Sequence, residues 1–246
     1  MDKKIICIVQ ARTGSTRLPN KIFLDLQGKT VLGQVIDRLN YSKLITQIVI
    51  AAPNKKEDDV IEEFVKKNYE DVGIYRGSED DVLDRYYQAA KKYNADVIIR
   101  ITSDCPLIDS VEVDKVIQAY LDNGVDYCAN ILGKRTYPRG LDTEVFSWDV
   151  LSSIWHKALE KEDREHVTLY IRKHPKLYST YNVEYIKDYS QYRITLDTPE
   201  DYALIQLLYK QLFPDKLDIE YVVDMLESNQ ELIDINKHIK QKYGQY

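Results

Sequence analysis

Apolar residues in this chain fall into two patterns that alternate with each other. Ile5 to Val9 is one dense apolar run, the pattern of a short strand covered on both faces. Behind Thr30, a helix-capping residue, Val31, Leu32, Val35, Ile36 and Leu39 recur at helical spacing. Gln47 to Ala52 reads as a second buried strand, and Val60, Ile61, Phe64 and Val65 share one face of a second helix. The alternation continues through a strand at Val72 to Tyr75, a helix face of Val82, Leu83, Tyr86, Tyr87 and Ala90, and a strand at Asp96 to Thr102. Val113, Val116, Ile117, Tyr120 and Leu121 mark a helix that Gly124 stops, and Asp126 to Ile131 is a strand again. Such alternation predicts an α/β domain with a mostly parallel sheet flanked by helices.

Beyond residue 131 the pattern loosens. A Pro/Gly turn at 134–140 leads into a strand ending at Phe146, a helix spans Trp148 to Leu159, and Leu177 to Glu184 reads as a strand. Arg193 to Leu196 is another, followed by a helix with Pro199 in its first turn and Thr198 and Asp201 placed to cap it. Residues 202 to 246 read as two or three amphipathic helices without chemistry of their own. No repeat, low-complexity stretch or linker divides the chain, so one domain is expected over 1–246. Residues 1–131 form its regularly alternating half, 132–200 a looser middle segment, and 201–246 the closing helices.

Composition narrows the function. A chain of 246 residues buries roughly 70 to 75% of its unfolded surface, enough to enclose a site. The formal net charge of -6 argues against nucleic acid as a partner, so any anion site must be made by local cations. The start, Met1-Asp2-Lys3-Lys4, leads into an apolar run too short for a signal peptide, and no window approaches the ~20 apolar residues of a membrane span. A cytoplasmic protein with no membrane partner is expected. Cys7, Cys105 and Cys128 lie far apart without a paired spacing, which argues against a disulfide framework or zinc knuckle. Cys7 and Cys128 read as core residues, and Cys105 has no neighbouring His to activate it.

The first strand runs into Ala11-Arg12-Thr13-Gly14-Ser15-Thr16-Arg17-Leu18-Pro19-Asn20-Lys21. Amides of a Gly/Ser/Thr turn can converge on phosphate oxygens, with Arg12, Arg17 and Lys21 adding charged donors. The same composition also makes an ordinary basic turn. The Gly-x-x-x-x-Gly-Lys-Ser/Thr spacing of a P-loop is absent. At the end of the strand closing at Thr102 stand Ser103 and Asp104, where ligands collect in open α/β sheets, although Asp before a Pro-containing turn is also a common loop opener. Arg76-Gly77-Ser78 precedes acidic residues, an arrangement that a capped surface helix with Ser78 as the cap explains in full. Asp142 and Glu144 would share a face of an extended strand after Arg139, and Asp197 precedes a helix cap that does not need it.

Four motifs in order carry a family resemblance over most of the first 200 residues. Arg-x-Gly-Ser-Thr-Arg-Leu-Pro-x-Lys at 12–21 resembles the opening signature of the sugar-acid cytidylyltransferases, the group with the CMP-KDO and CMP-sialate synthetases. Arg-Gly-Leu-Asp-x-Glu-Val-Phe at 139–146 and Arg-Glu-His-Val-Thr at 164–168 are similar to its spore-coat polysaccharide branch, and Leu-Asp-Thr-Pro-Glu-Asp at 196–201 completes the set. The resemblance implies a Rossmann-like nucleotide-diphospho-sugar transferase fold. It also implies an Mg²⁺-dependent enzyme that moves CMP from CTP to a small acidic sugar, releases pyrophosphate and works as a homodimer. Arg12, Arg17 and Lys21 would be catalytic. Ala11, Arg12, Gly14, Ser15, Lys21, Gly77, Ser78, Ser103 and Asp104 would bind nucleotide, with Arg76 and Arg85 as further base contacts. Asp104 and Asp197 would hold Mg²⁺, and Arg139, Asp142, Glu144 and His166 would meet the acceptor. The acceptor region lacks the pattern that fixes KDO or sialate. Acceptors such as a sugar phosphate or phosphonate, and a non-catalytic nucleotide-binding subunit, therefore stay open, as does the choice of cytosine over uracil.

Overall fold

The computed structural model describes residues 3–213 and 218–241. The chain begins with β1 (Ile5–Gln10), then a 3-10 turn at Lys21–Phe23, a small hairpin of β2 (Asp25–Leu26) and β3 (Lys29–Thr30), and α1 (Val31–Leu39). β4 (Gln47–Pro53), α2 (Asp59–Asn68), β5 (Gly73–Gly77), α3 (Val82–Tyr93) and β6 (Val97–Thr102) follow. After α4 (Ser110–Asn123) come β7 (Tyr127–Ala129), β8 (Glu144–Ser147), α5 (Trp148–Lys157), α6 (Lys161–Glu165) and α7 (Leu169–Lys173). β9 (Thr180–Asn182), α8 (Pro199–Leu212), α9 (Ile219–Ser228) and α10 (Gln230–Asn236) complete the described chain.

Seven strands form one sheet in the order β5-β4-β1-β6-β8-β7-β9. Only β8 runs antiparallel to its neighbours, so the sheet is mixed and mostly parallel in a single α/β domain. Alternate residues of β1 explain the layers. Ile5, Cys7 and Val9 pack beneath α1, α2 and α4, while Ile6 and Ile8 pack against α3, α5 and α7 on the other face. Leaving both faces covered requires the dense apolar runs seen in β1, β4 and β6. A third cluster joins α8 and α9 to Leu26, Leu107, Tyr137 and Leu196, which docks the C-terminal helices against the loops beyond β6. Among the described residues no helix is long and apolar enough to cross a membrane.

The site's position follows from the strand order. The chain winds from β1 outward to β4 and β5, then returns to place β6 on the opposite side of β1. Loops leaving the carboxyl ends of β1 and β6 therefore diverge and open a crevice between them.

Candidate active site

That crevice is a cleft of about 480 Å³. Its lining contains eight Arg or Lys residues and six Asp or Glu, an excess of cations in a chain whose net charge is negative. A polyanion is the natural occupant of such a local field.

One wall is the loop after β1. Asp58, buried before α2, accepts from both the amide (2.7 Å) and hydroxyl (2.9 Å) of Thr13, and the Ser15 amide turns back to the Thr13 carbonyl. These bonds hold the loop open toward the cleft. Among the described residues no acceptor takes the amides of Arg12, Gly14 or Thr16, so alternate positions retain donors for a ligand. Ala11, Arg12, Ser15, Arg17 and Lys21 line the cleft, whereas Gly14 sits in the loop outside the lining. Asp58 was not legible as part of this wall, because its 45-residue separation from Thr13 leaves no local signal.

Asp104, just beyond β6, and Asp197, just before α8, face each other across Lys21; the strand expected over Arg193 to Leu196 does not form, since that segment makes only a single bridge from Arg193 to Arg139. The Lys21 Nζ donates to Asp104 Oδ2 at 2.9 Å, the Leu196 carbonyl at 2.8 Å and Asp197 Oδ1 at 2.9 Å. Burial works against a charged Asp104, but Lys21 and the Thr102 hydroxyl, 2.5 Å from Oδ1, outweigh it and hold the carboxyl below its usual range. Burial likewise opposes the Lys21 charge, and the two aspartates overcome it, raising the ammonium above its ordinary value. Asp197 is gripped from behind by Arg193 Nη2 (2.9 Å) and from the cleft by Arg17 (3.1 Å).

The backing of Asp197 is an arginine-carboxylate frame. Arg193 makes two bonds to the fully buried Asp201, at 2.8 and 2.9 Å, and Asn236 of α10 donates to both the Arg193 carbonyl and Asp201. Asp201 also completes the capping box with Thr198, so Asp197 itself is left outside the cap. The C-terminal helices thus do carry part of the site: Asn236 fixes the frame and Gln241 reaches the cleft lining.

The opposite wall comes from residues 139–142 and 161–172. Arg139 and Gly140 pack directly on the backbone of residues 193–195. The Arg139 amide donates to Tyr192 and its carbonyl accepts from Ile194. Gly140 has φ +112°, and a Cβ there would lie 2.8 Å from backbone atoms of Ile194 and Thr195. Arg139 and Asp142 both line the cleft, and Arg135 holds Asp142 through two bonds of 2.7 and 2.9 Å. His166 lines it as well. Burial, with Arg100 and Arg172 nearby and only partly offset by Glu165, keeps its imidazole below the usual histidine range.

Three expectations are corrected by the geometry. Glu144 is 1% exposed and points into the protein, where it binds Arg100, the Tyr127 hydroxyl (2.5 Å) and the Thr168 hydroxyl. It supports the cleft from behind, and Arg100 is the member of that pair which lines it. The strand begins at Glu144, so Asp142 is not on its face. Gly77 and Ser78 are also outside the lining. Ser78 accepts from the Asp81 amide and from Arg85, and Asp81 is the true cap of α3. The cleft is met there by Glu79, Asp80, Val82 and Arg85, while Arg76 faces away and pairs with Asp59 and Glu62. Ser103 does line the cleft. The charge run at 160–165 folds into α6, and its Lys161 and Glu165 join the lining beside His166. Burial, with Asp104 and Asp142 adding to it, pushes the Cys105 thiol well up, which leaves it unreactive.

A fold wound this way, with a cationic cleft at the switch point and paired aspartates, is that of a nucleotidyltransferase. The family model described as cytidylyltransferase matches residues 6–239, and the chain belongs to that family. It is 41% identical over 242 residues to the uncharacterized protein MJ1063 of Methanocaldococcus jannaschii, covering 97% of each. It is 40% identical over 215 residues to the spore coat polysaccharide biosynthesis protein SpsF of Bacillus subtilis, covering 84% of this chain and 87% of that one. The solved structure of a cytidylyltransferase from Leptospira borgpetersenii superposes with a TM-score of 0.90 at 32% identity, over 98% of this chain and all of that one. The chain is thus a nucleotidyltransferase of the sugar-acid cytidylyltransferase family.

Proposed function

We propose that the protein transfers CMP from CTP to an acidic sugar destined for a surface polysaccharide, with release of pyrophosphate. The observation that carries this reading is the placement of the Arg12, Arg17 and Lys21 wall against Asp104 and Asp197, with a separate basic wall beyond them. Arg12, Arg17 and the open amides of the first loop bind the triphosphate. Arg85 and the Glu79–Val82 turn border the base, and Ser103 lies beside the nucleotide.

Asp104, Asp197 and the Leu196 carbonyl are the residues that would hold Mg²⁺. Among the described residues no group of three or more His, Cys, Asp and Glu is placed to hold a metal ion, so the donor set here is two carboxylates and a carbonyl. These are hard oxygen donors, they already converge on a cationic nitrogen, and Mg²⁺ characteristically takes one or two carboxylates with water and phosphate oxygens. Bound there, the ion would neutralise charge on the triphosphate.

The acceptor enters against Arg139, Asp142, His166, Arg100 and Arg172. Its hydroxyl attacks the α-phosphorus. One phosphorus-oxygen bond forms to the sugar and the bond to the β-phosphate bridge breaks, leaving pyrophosphate, while the hydroxyl proton goes to solvent base. His166, kept neutral by its surroundings, is fitted to accept a hydrogen bond from that hydroxyl. Direct attack needs no enzyme nucleophile, in keeping with an inert Cys105. Positioning and charge stabilisation supply the rate. Pyrophosphate release measured with CTP, UTP and ATP against acidic sugars and sugar phosphates tests the reading: turnover should require CTP and a carboxylate-bearing acceptor. Turnover only with a sugar phosphate would assign a different acceptor.

A further inference from the structure

We infer that Lys21 is a resident occupant of the cation cradle and that nucleotide binding must draw it out before a divalent ion can enter. The inference rests on the proposed metal role of Asp104 and Asp197 but not on any acceptor.

An ammonium has three donors, and here each finds one oxygen: Asp104 Oδ2, the Leu196 carbonyl and Asp197 Oδ1, all at 2.8–2.9 Å. The remaining carboxylate oxygens are also taken. Thr102 donates to Asp104 Oδ1, and Arg17 and Arg193 meet Asp197 Oδ2. All four aspartate oxygens therefore have protein donors, and the Lys21 ammonium fills the point where the three cradle oxygens converge, so an ion can bridge them only where that ammonium leaves.

Lys21 is the one donor whose departure exposes all three cradle oxygens together. Arg193 is locked by Asp201, and Asn236 fixes its backbone; the Thr102 hydroxyl is on a short stem beside its aspartate. Lys21 instead projects on a flexible four-carbon stem from a 3-10 turn that follows Asn20 in a left-handed conformation (φ 53°). It belongs to the same loop as Arg12 and Arg17, so a triphosphate drawn onto that wall offers it new anionic partners. The order that results is nucleotide first, or nucleotide and cation together, and not cation alone.

The test is binding of Mn²⁺ to the full-length protein without nucleotide or acceptor, read from loss of the free-ion electron paramagnetic resonance signal. Wild type should bind weakly, and Lys21→Met and Lys21→Gln should each bind at least tenfold more tightly. Asp104→Asn in the Lys21→Gln background should abolish the gain. Mn²⁺ should also raise the melting temperature of the Lys21 variants and not of wild type, a readout that detects a variant too unstable to titrate. Wild type binding Mn²⁺ as tightly as the variants, or neither variant binding more tightly than wild type, would overturn the inference. The result is independent of the acceptor: a different acceptor would change turnover and leave this titration unaltered.

Discussion

Replacing Glu144 by Gln separates two roles for a residue that a strand pattern alone places at the acceptor. Its carboxylate is 1% exposed and faces Arg100, itself 6% exposed, and also accepts from the Tyr127 and Thr168 hydroxyls. Removing one charge of a buried pair leaves the other uncompensated, at a cost of about 3 to 5 kcal/mol. In a chain of this size that corresponds to a drop of roughly 6 to 20 °C in melting temperature. Burial alone would raise the Glu144 carboxyl, but Arg100 and Arg172 and the two hydroxyls together lower it below its ordinary value. The stabilisation is therefore present above the unfolded carboxyl's value of about 4.3 and disappears as pH falls through the lower folded value. Glu144→Gln should abolish that part of the acid dependence. Urea denaturation at neutral pH and below about pH 4.3 is the assay, with Arg100→Met/Glu144→Met expected to lose less stability than the single variant. A single-variant cost below 1 kcal/mol with selective loss of acceptor turnover would refute the supporting role and return Glu144 to the acceptor.

Gly140→Ala should destabilise the 139–141 turn by more than 1 kcal/mol and weaken turnover, because its Cβ would meet the Ile194 and Thr195 backbone at 2.8 Å; thermal melting together with KM for the acceptor measures both. Thr198→Ala removes the cap of α8 and should cost about 0.5 to 2 kcal/mol in urea, while CTP affinity stays close to wild type. Arg12→Ala removes a cleft cation that no described acid pairs with, so CTP titration calorimetry should show at least tenfold weaker binding without a loss of melting temperature. A homodimer, carried by the family resemblance, predicts a mass of two chains by light scattering at micromolar concentration; a mass of one chain would contradict it.

The sheet was legible because its strands are buried on both faces. Runs such as Ile5 to Val9 and Val97 to Ile101 leave no alternating surface to misread. Helix caps at Thr30 and Thr198 were legible for the same local reason, since donor and acceptor lie three residues apart. The hairpin of β2 and β3 was not, because two-residue strands have no periodicity. The strand expected over Leu177 to Glu184 is confined to three residues, its ladder limited by the three residues of β7. Ser78 looked like a cap because acidic residues follow it, but Asp81 lies nearer the first apolar turn and takes the role.

In the site, Lys21, Asp104 and Asp197 were readable as motif residues, but their meeting at one ammonium was not, being set by separations of 83 and 176 residues. Arg100 did leave a signal. An arginine inside Val-Ile-Ile-Arg-Ile must find a buried counter-charge, yet nothing local names Glu144, 44 residues on, as that partner. Arg172 and Gln241 gave no local signal, and only the packing of α7 and the C-terminal segment brings them to the cleft.

The cation site proposed for nucleotidyl transfer is the Asp104 and Asp197 pair. Its most direct measurement is pyrophosphate release from CTP with an acidic sugar acceptor, across a magnesium titration, for wild type, Asp104→Asn and Asp197→Asn. Wild type should turn over with saturable magnesium dependence and both variants should lose at least a hundredfold in rate while still binding CTP. Wild-type turnover unaffected by chelation, or variants retaining more than a tenth of the rate, would show that this pair does not hold a catalytic cation.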